Sequence, residues 1–319
     1  MKQSIIEQIN QVKASWNPPT QLDKICGGDM PGDQIKIGEE HILKANLIFK
    51  ELLEKLPSVL ETSNEERVVL CVCGGSGVGK SEIASLLSTY FTEIGIGSYT
   101  LSGDNYPYRL PKYNDAERLR IFRESGLQQM IQDGFYTKEH FDFVHRLQQK
   151  ADDANHLHIP SNPWFASYLE GGIGGLKGYL GTKAEINFEQ IEKIISEFKS
   201  GEDKIWLKRM GREETELWYE NVDFSSVNVL IIEWTHGNSD CFSGVDFPIL
   251  LNSTPKETLE HRKLRNRDGG TDSPFTMRVL EIEQGMLRAQ AHKAKLIVSK
   301  QGTLLDYEGY CKQMEEENE

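Results

Sequence analysis

The stretch CVCGGSGVGKSEI, residues 71–83, decides the reading of this chain. Six of its thirteen residues carry nothing beyond a hydrogen or a hydroxymethyl group. It satisfies the spacing G-x-x-x-x-G-K-[ST] with Gly74, Gly79, Lys80 and Ser81. Before it runs VVLCVC (68–73), a β-branched apolar segment that predicts a buried parallel strand. After it KSEIASLLSTYFTEI (80–94) has helical periodicity, stopped by Gly95 and Gly97. A phosphate chain lying on backbone N–H groups leaves no room for Cβ atoms, and glycine alone adopts the required dihedrals freely. The helix that follows presents its positive end to the anion. The residues expected to hold a nucleoside triphosphate, ATP, are therefore Gly74, Gly75, Ser76, Gly77, Val78, Gly79, Lys80, Ser81 and Glu82. Lys80 would serve the β and γ phosphates, and Ser81 would offer its hydroxyl to Mg2+.

Working outward, SYTLS (98–102), VNVLIIEW (227–234), FPILLN (247–252) and AKLIVS (294–299) read as further strands. Helical patterns lie between most of them, including NFEQIEKIISEFKSG (187–201) and TPKETLEHRKLRNR (254–267), with Thr254 as N-cap and Pro255 at the first helical position. Alternation of this kind predicts an α/β fold, a parallel sheet covered on both faces. Residues 1–64 form an N-terminal helical extension, and EEHILKANLIFKELLEKL (39–56) is its clearest helix. The stretches SWNPPT and GGDMPGD before that helix read as turns, and TSNEER after it as a linker. The nucleotide-binding domain spans 65–312, interrupted at about 105–185 by a large insertion, mostly helical, that contains the glycine-dense loop GGIGGLKGYLG (171–181). Residues 313–319 are an acidic tail.

The chain has 36 Lys and Arg against 49 Asp and Glu, a net charge of −13 in 319 residues. That balance lacks the basic footprint of a nucleic-acid-binding protein. No run approaches the ~18 apolar residues of a membrane span, and MKQSIIEQINQVKASW shows no apolar leader core. Cys26, Cys71, Cys73, Cys241 and Cys311 are scattered and odd in number, which predicts reduced thiols and a cytoplasmic protein. Cys71 and Cys73 alternate along the first strand and read as core packing.

Asp104 stands just past the carboxyl end of the second strand, on the side where α/β sheets bind ligands. It is the candidate base for an acceptor hydroxyl. Glu233 ends another apolar strand, where a carboxylate aids Mg2+, so the metal set is Ser81, Asp104 and Glu233. Arg262, Arg265 and Arg267 are candidates for stabilising the transferring phosphoryl group. No N-K-x-D guanine-reading motif follows the glycine loop, so a small-molecule kinase leads over a GTPase switch.

The segments GGSGVGKS, SGDNYPYR, VLIIEWTHG and HRKLRNRD, in that order, resemble the uridine kinase and phosphoribulokinase family of P-loop kinases. INFEQIEKIISEFKSGEDKIWLKRMGREE is similar to that family's helix and acceptor-side hairpin. The resemblance implies a three-layer P-loop sandwich around a parallel sheet of about five strands. It implies a catalytic Asp at Asp104, a strand-end Glu at Glu233 and lid arginines at Arg262, Arg265 and Arg267. Trp234 stands where the family carries glycine. LSGDNYPYRLPKYNDAERLRIFRESG is also similar to a stretch of adenylylsulfate kinases, the alternative within kinases. A nucleotide-binding regulatory module with weak hydrolysis is the alternative outside them.

The acceptor is expected to be a small sugar or nucleoside, with or without a phosphate or sulfate of its own. Basic clusters suggest the anion: Arg109, Lys112, Arg118, Arg120 and Arg123 after Asp104, and Lys208, Arg209 and Arg212 in the hairpin region. Tyr106, Arg109, Arg209 and His236 are the candidate acceptor contacts. The partners expected are this small molecule and a second copy of the chain, with neither nucleic acid nor membrane.

Overall fold

The computed structural model describes all residues except 1, 20–24, 26, 63–65, 255, 261, 263–272 and 317–319. Two compact units emerge. One comprises Met1–Tyr106, Phe188–Ser253 and Leu287–Glu319, the other Pro107–Asn187 and Thr254–Met286.

In the first unit, helices α1 (Lys2–Lys13) and α2 (Glu39–Thr62) precede strand β1 (Val68–Gly74) and helix α3 (Lys80–Glu93). Strand β2 (Ser98–Ser102) follows. The chain later adds α7 (Phe188–Lys199), β3 (Lys204–Met210), β4 (Leu217–Asp223), β5 (Val229–Glu233), β6 (Phe247–Leu251), β7 (Leu296–Val298), β8 (Leu304–Leu305) and the helix Tyr307–Glu316. The sheet order is β2-β5-β1-β6-β7-β8. The first five strands run parallel, as expected, and β8 adds a short antiparallel edge. β1 and β5 are buried along their whole length, which is why they read as unbroken apolar runs rather than alternating ones.

Register does the positioning. Val72 of β1 and Ser102 of β2 both pair with Glu233 of β5, while Gly74 pairs with Leu251 of β6. The carboxyl ends of four strands therefore align at one edge, where ligands of open α/β sheets bind.

The helices read as an N-terminal extension are part of this unit's core. Ile48, Phe49, Leu52, Leu53 and Leu56 of α2 cluster with Leu86, Leu87, Tyr90 and Phe91 of α3 and with Val68, Leu70 and Val72 of β1. The Phe49 ring meets Tyr90 and Phe91 edge-on at 5.4 and 5.0 Å. Cys71 and Cys73 are buried free thiols, as their alternation predicted. Arg67, read as linker, is buried and stitches three segments together: Nη1 donates to the Phe198 and Glu202 carbonyls at 3.0 and 2.8 Å, and Nη2 to the Phe224 carbonyl at 2.9 Å. β3 and β4 form a separate antiparallel hairpin.

The second unit contains α4 (Pro111–Gln132), α5 (Lys138–Gln149) and α6 (Phe165–Lys177). Residues 274–286 of α8 (Pro274–Gln290) belong to it as well. Phe122, Met130, Val144, Phe165, Tyr168 and Leu176 form its core. The glycine-dense stretch expected to be a loop is instead largely helical. It lies mostly within α6, and Gly171, Gly172 and Gly175 face α4. A Cβ on Gly171 would stand 2.6 Å from the Ser125 carbonyl oxygen, and one on Gly172 would stand 2.5 Å from the Phe122 ring. Reciprocally, a Cβ on Gly126 of α4 would lie 2.7 Å from the Tyr168 ring. Tight helix contact outweighs glycine's poor helix propensity. The expected cap at Thr254 is present as a reciprocal box: the Glu257 N–H donates to Thr254 Oγ1 at 3.2 Å, and the Thr254 N–H donates to the Glu257 carboxylate at 2.8 Å. Among the described residues no helix is long and apolar enough to cross a membrane.

A paired substitution tests the seam. Gly171→Ala forces a methyl into the α4 backbone and should destabilise the second unit by about 1–3 kcal/mol. Gly174→Ala on the same helix meets nothing within 4 Å and should stabilise by about 0.5–1 kcal/mol. Urea unfolding followed by circular dichroism separates the two directions.

Candidate functional site

The glycine loop joins β1 to α3. Gly77 and Gly79 have φ of 79° and 95°, which a side chain would strain, and Gly79 is the N-cap of α3. Lys80 Nζ donates to the Gly75 carbonyl at 3.1 Å, so the ammonium is already held over the loop. Ser81 Oγ donates to Glu233 Oε2 at 3.2 Å, and Ser102 Oγ donates to Glu233 Oε1 at 2.6 Å. Glu233 is 5% exposed. Burial, followed by the charge of Asp104, pushes its carboxyl up to about 7, against the opposing pull of Lys80 and the two hydroxyls. Lys80, Ser81 and Asp104, three positions singled out from the sequence, thus act on a fourth, Glu233.

Asp104 sits on a single 3-10 turn, Gly103–Asn105, directly after β2, and its side chain is exposed. Its neighbours explain the placement. A Cβ on Gly103 would fall 2.0 Å from the Trp234 indole. Trp234 is 1% exposed and packs against Phe188 and Phe242. The large residue after Glu233 therefore fills the floor beneath the turn. Asn105 is fully buried, and its Oδ1 accepts the Met210 N–H at 2.9 Å.

The turn also rests on Asp29, which the sequence reading passed over as turn material. Its Oδ1 accepts the Ser102 N–H at 2.7 Å and Asn105 Nδ2 at 3.1 Å; its Oδ2 accepts the Tyr99 hydroxyl at 3.1 Å and Arg209 Nη1 at 2.9 Å. Burial raises its carboxyl to about 6 even though Arg209 opposes this. Nothing in the local pattern GGDMPGD distinguishes this aspartate from an ordinary turn residue, because every partner is at least 70 residues away.

Other expectations change. Tyr106 is fully buried and cannot stack on an acceptor. Arg209 is 4% exposed and engaged with Asp29, Glu220 and the Tyr99 hydroxyl, so it braces the hairpin instead of facing a ligand. His236 is 8% exposed with its ring against Trp234. The Glu82 side chain is buried and is not presented to a nucleotide. Val78 likewise points into the core, leaving only its backbone for phosphate. Arg109 lies in the second unit, where it bonds the Tyr179 hydroxyl at 2.9 Å and pairs with Glu117 at 3.6 Å. Arg262, also in that unit, is 5% exposed and donates to Thr258 Oγ1 at 2.5 Å within its own turn, which does not suit a clamp closing over phosphate. Arg265 and Arg267 lie outside the described residues.

Among the described residues no group of three or more His, Cys, Asp and Glu gathers as a metal cage. The donors at this edge, one hydroxyl and two carboxylates of which one is pushed towards its neutral form chiefly by burial and then by the charge of the other, suit a hard divalent cation that keeps several waters.

No protein-family model matches the chain. It is 40% identical over 255 residues to the bifunctional alpha-galactosidase/sucrose kinase AgaSK of Mediterraneibacter gnavus, a match covering 80% of this chain and 22% of that protein. The chain thus spans about a fifth of the length of that relative. Solved structures with similar chains include three kinases. A proposed fructose transport system kinase from Silicibacter sp. TM1040 has a TM-score of 0.45 and 13% identity, covering 78% of this chain and 93% of that one. A proposed uridine kinase from Bacillus stearothermophilus has 0.42 and 14%, covering 80% and 96%. D-glycerate 3-kinase from Cryptococcus neoformans var. grubii has 0.43 and 12%, covering 85% and 99%. The chain's own strand, glycine loop and helix, set at the carboxyl edge of a parallel sheet, make it a P-loop α/β protein.

The position of Glu233 has a consequence for stability. Its folded value of about 7 lies above the ordinary 4.5, so the folded protein binds a proton that the unfolded chain has lost. The associated stability is full below about 4.5 and is lost as pH rises through about 7. In metal-free, nucleotide-free protein, Glu233→Gln should remove that loss and gain on the order of 1–3 kcal/mol over wild type at pH 8, with little difference at pH 4.5. Thermal melts across pH check the sign.

Proposed function

We propose that this chain is an ATP-dependent kinase that phosphorylates a hydroxyl of a small neutral sugar, with a sucrose-type disaccharide as the first candidate. The observation that carries the reading is the convergence of Lys80, Ser81 and Asp104 on the buried Glu233 at the sheet edge. A nucleotide-binding loop needs only the glycines and the lysine. An exposed carboxylate beside them, on a turn locked in place from beneath, is what transfer to a hydroxyl additionally requires.

In this reading the N–H groups of the glycine loop and α3 bind the phosphates. Lys80 leaves the Gly75 carbonyl to neutralise the β and γ oxygens. Asp104 takes the proton of the acceptor hydroxyl as its oxygen bonds to the γ-phosphorus and the bond to ADP breaks. Mg2+, which would be held by Ser81 with Glu233 and Asp104, supplies further charge neutralisation on the transferring group.

Two findings favour a neutral acceptor. First, a stretch of 255 residues placed anywhere in a chain of 319 must include residues 65–255, hence the glycine loop, Asp104 and Glu233. Of the two activities named for the relative, glycoside hydrolysis works through a carboxylate pair and has no use for such a loop. The shared part is therefore assigned to its sucrose kinase activity. Second, arginines expected to bind an anion are engaged by the chain's own carboxylates: Arg118 with Glu185 at 2.7 Å, Arg123 with Asp153 at 2.9 Å, Arg120 with Glu117 at 2.8 Å and Arg209 with Asp29 at 2.9 Å.

The test is ADP release from ATP and Mg2+ with a panel of sucrose, other disaccharides, monosaccharides, phosphosugars, nucleosides and adenylylsulfate. Release should rise with a neutral sugar. Asp104→Asn should lower kcat by about 10^2–10^4 while ATP still binds. If no sugar accelerates ADP release, or if Asp104→Asn turns over at the wild-type rate, the reading fails.

A further inference from the structure

The sheet-edge site depends on a segment far from it in sequence. Residues 27–41 lead into the first turn of α2, and they touch both the turn carrying Asp104 and the glycine loop within the first unit. At one end, Asp29 brackets Asp104. It fixes the backbone two residues before it, through the Ser102 N–H, and the side chain immediately after it, through Asn105 Nδ2. Asn105 in turn holds the Met210 N–H of β3, and Asp29 holds Arg209 of the same strand. At the other end, the Gly38 N–H donates to His41 Nδ1 at 3.0 Å, and the His41 ring lies where a Cβ on Gly79 would come within 2.9 Å of it. One short stretch thus reaches from the turn carrying Asp104 to the glycine loop.

We infer that Asp29 is a positioning residue for phosphoryl transfer: four donors from β2, the following turn and the hairpin converge on its carboxylate, and together they set where Asp104 stands. The inference rests on the kinase reading for its effect on turnover. The energetics point the same way. The Asp29 side chain is 6% exposed and that of Arg209 5%. A buried ion pair of this kind contributes little net stability compared with apolar packing of the same volume. What it does supply is a single geometry, since its two oxygens are matched to donors from β2, from the following turn and from β3. α1 and α2 supply the apolar burial that anchors the N-terminal region, so Asp29 is not needed for that purpose. Displacing a reacting group by about 1 Å can cost on the order of a hundredfold in rate.

Asp29→Asn keeps the shape, removes the charge and sets an NH2 group against a ring of donors. The experiment compares this variant with wild type in kcat, in KM for ATP and for the sugar, in melting temperature and in hydrogen–deuterium exchange of the 98–106 peptide. The expected result is a kcat about ten- to a hundredfold lower, KM for ATP within about twofold, and faster exchange at Ser102–Asn105 in a protein that still melts cooperatively. A purely structural role would lower the melting temperature and leave kcat of the folded fraction and local exchange unchanged; that outcome overturns the inference. If Asp29→Asn does not fold, Tyr99→Phe, which deletes one donor, takes its place with a smaller shift in the same direction. If wild type phosphorylates no sugar, the kinase reading fails, while exchange in 98–106 still decides whether Asp29 holds the turn.

Discussion

Glu233 accepts hydroxyls from two different elements, Ser81 of α3 and Ser102 of β2, and this contact can form only if three parallel strands keep their register. A slip of one residue would reverse which face of each strand looks into the core. The register in turn is fixed by continuous burial of β1 and β5, whose side chains have no alternative place to go. Apolar packing therefore sets the distance between the glycine loop after β1 and the turn carrying Asp104 after β2.

Glycine does different work at three places. At Gly77 and Gly79 it permits the left-handed backbone of the loop between β1 and α3. At Gly103 it makes room for the Trp234 indole, which supports the turn carrying Asp104. Along α6 it lets two helices meet at closer range than larger residues would allow. In each case the missing Cβ is a spatial requirement, but only the first has a compact signature in the sequence.

The charged residues divide in a similar way. Asp104 keeps its carboxylate in solvent, whereas Glu233, Asp29 and Arg209 are withdrawn from it. Burial raises both buried carboxyls above their ordinary values, and each tolerates burial only through several donated hydrogen bonds. The Arg118 and Arg123 guanidinium groups, paired with the buried Glu185 and Asp153, serve the architecture of the second unit in the same fashion. Local charge density in a sequence does not reveal whether a cation is offered to a ligand or consumed by a neighbour.

The sequence by itself determined the glycine loop, the parallel strands, the helices that flank them and the positions of Lys80, Ser81, Asp104 and Glu233. All of these depend on short-range periodicity or on a motif whose spacing is dictated by the size of a phosphate chain. Tertiary structure alone decided that the glycine-dense stretch is a packed helix, that the N-terminal helices complete the core, and that Tyr106, Glu82 and Arg262 are buried. It also decided that Arg209 belongs to Asp29. Those outcomes turn on which residues meet across many positions of chain, 70 to 180 for the partners of Asp29, and contact at such separation is set by the packing of whole elements, which leaves no mark in the residues on either side.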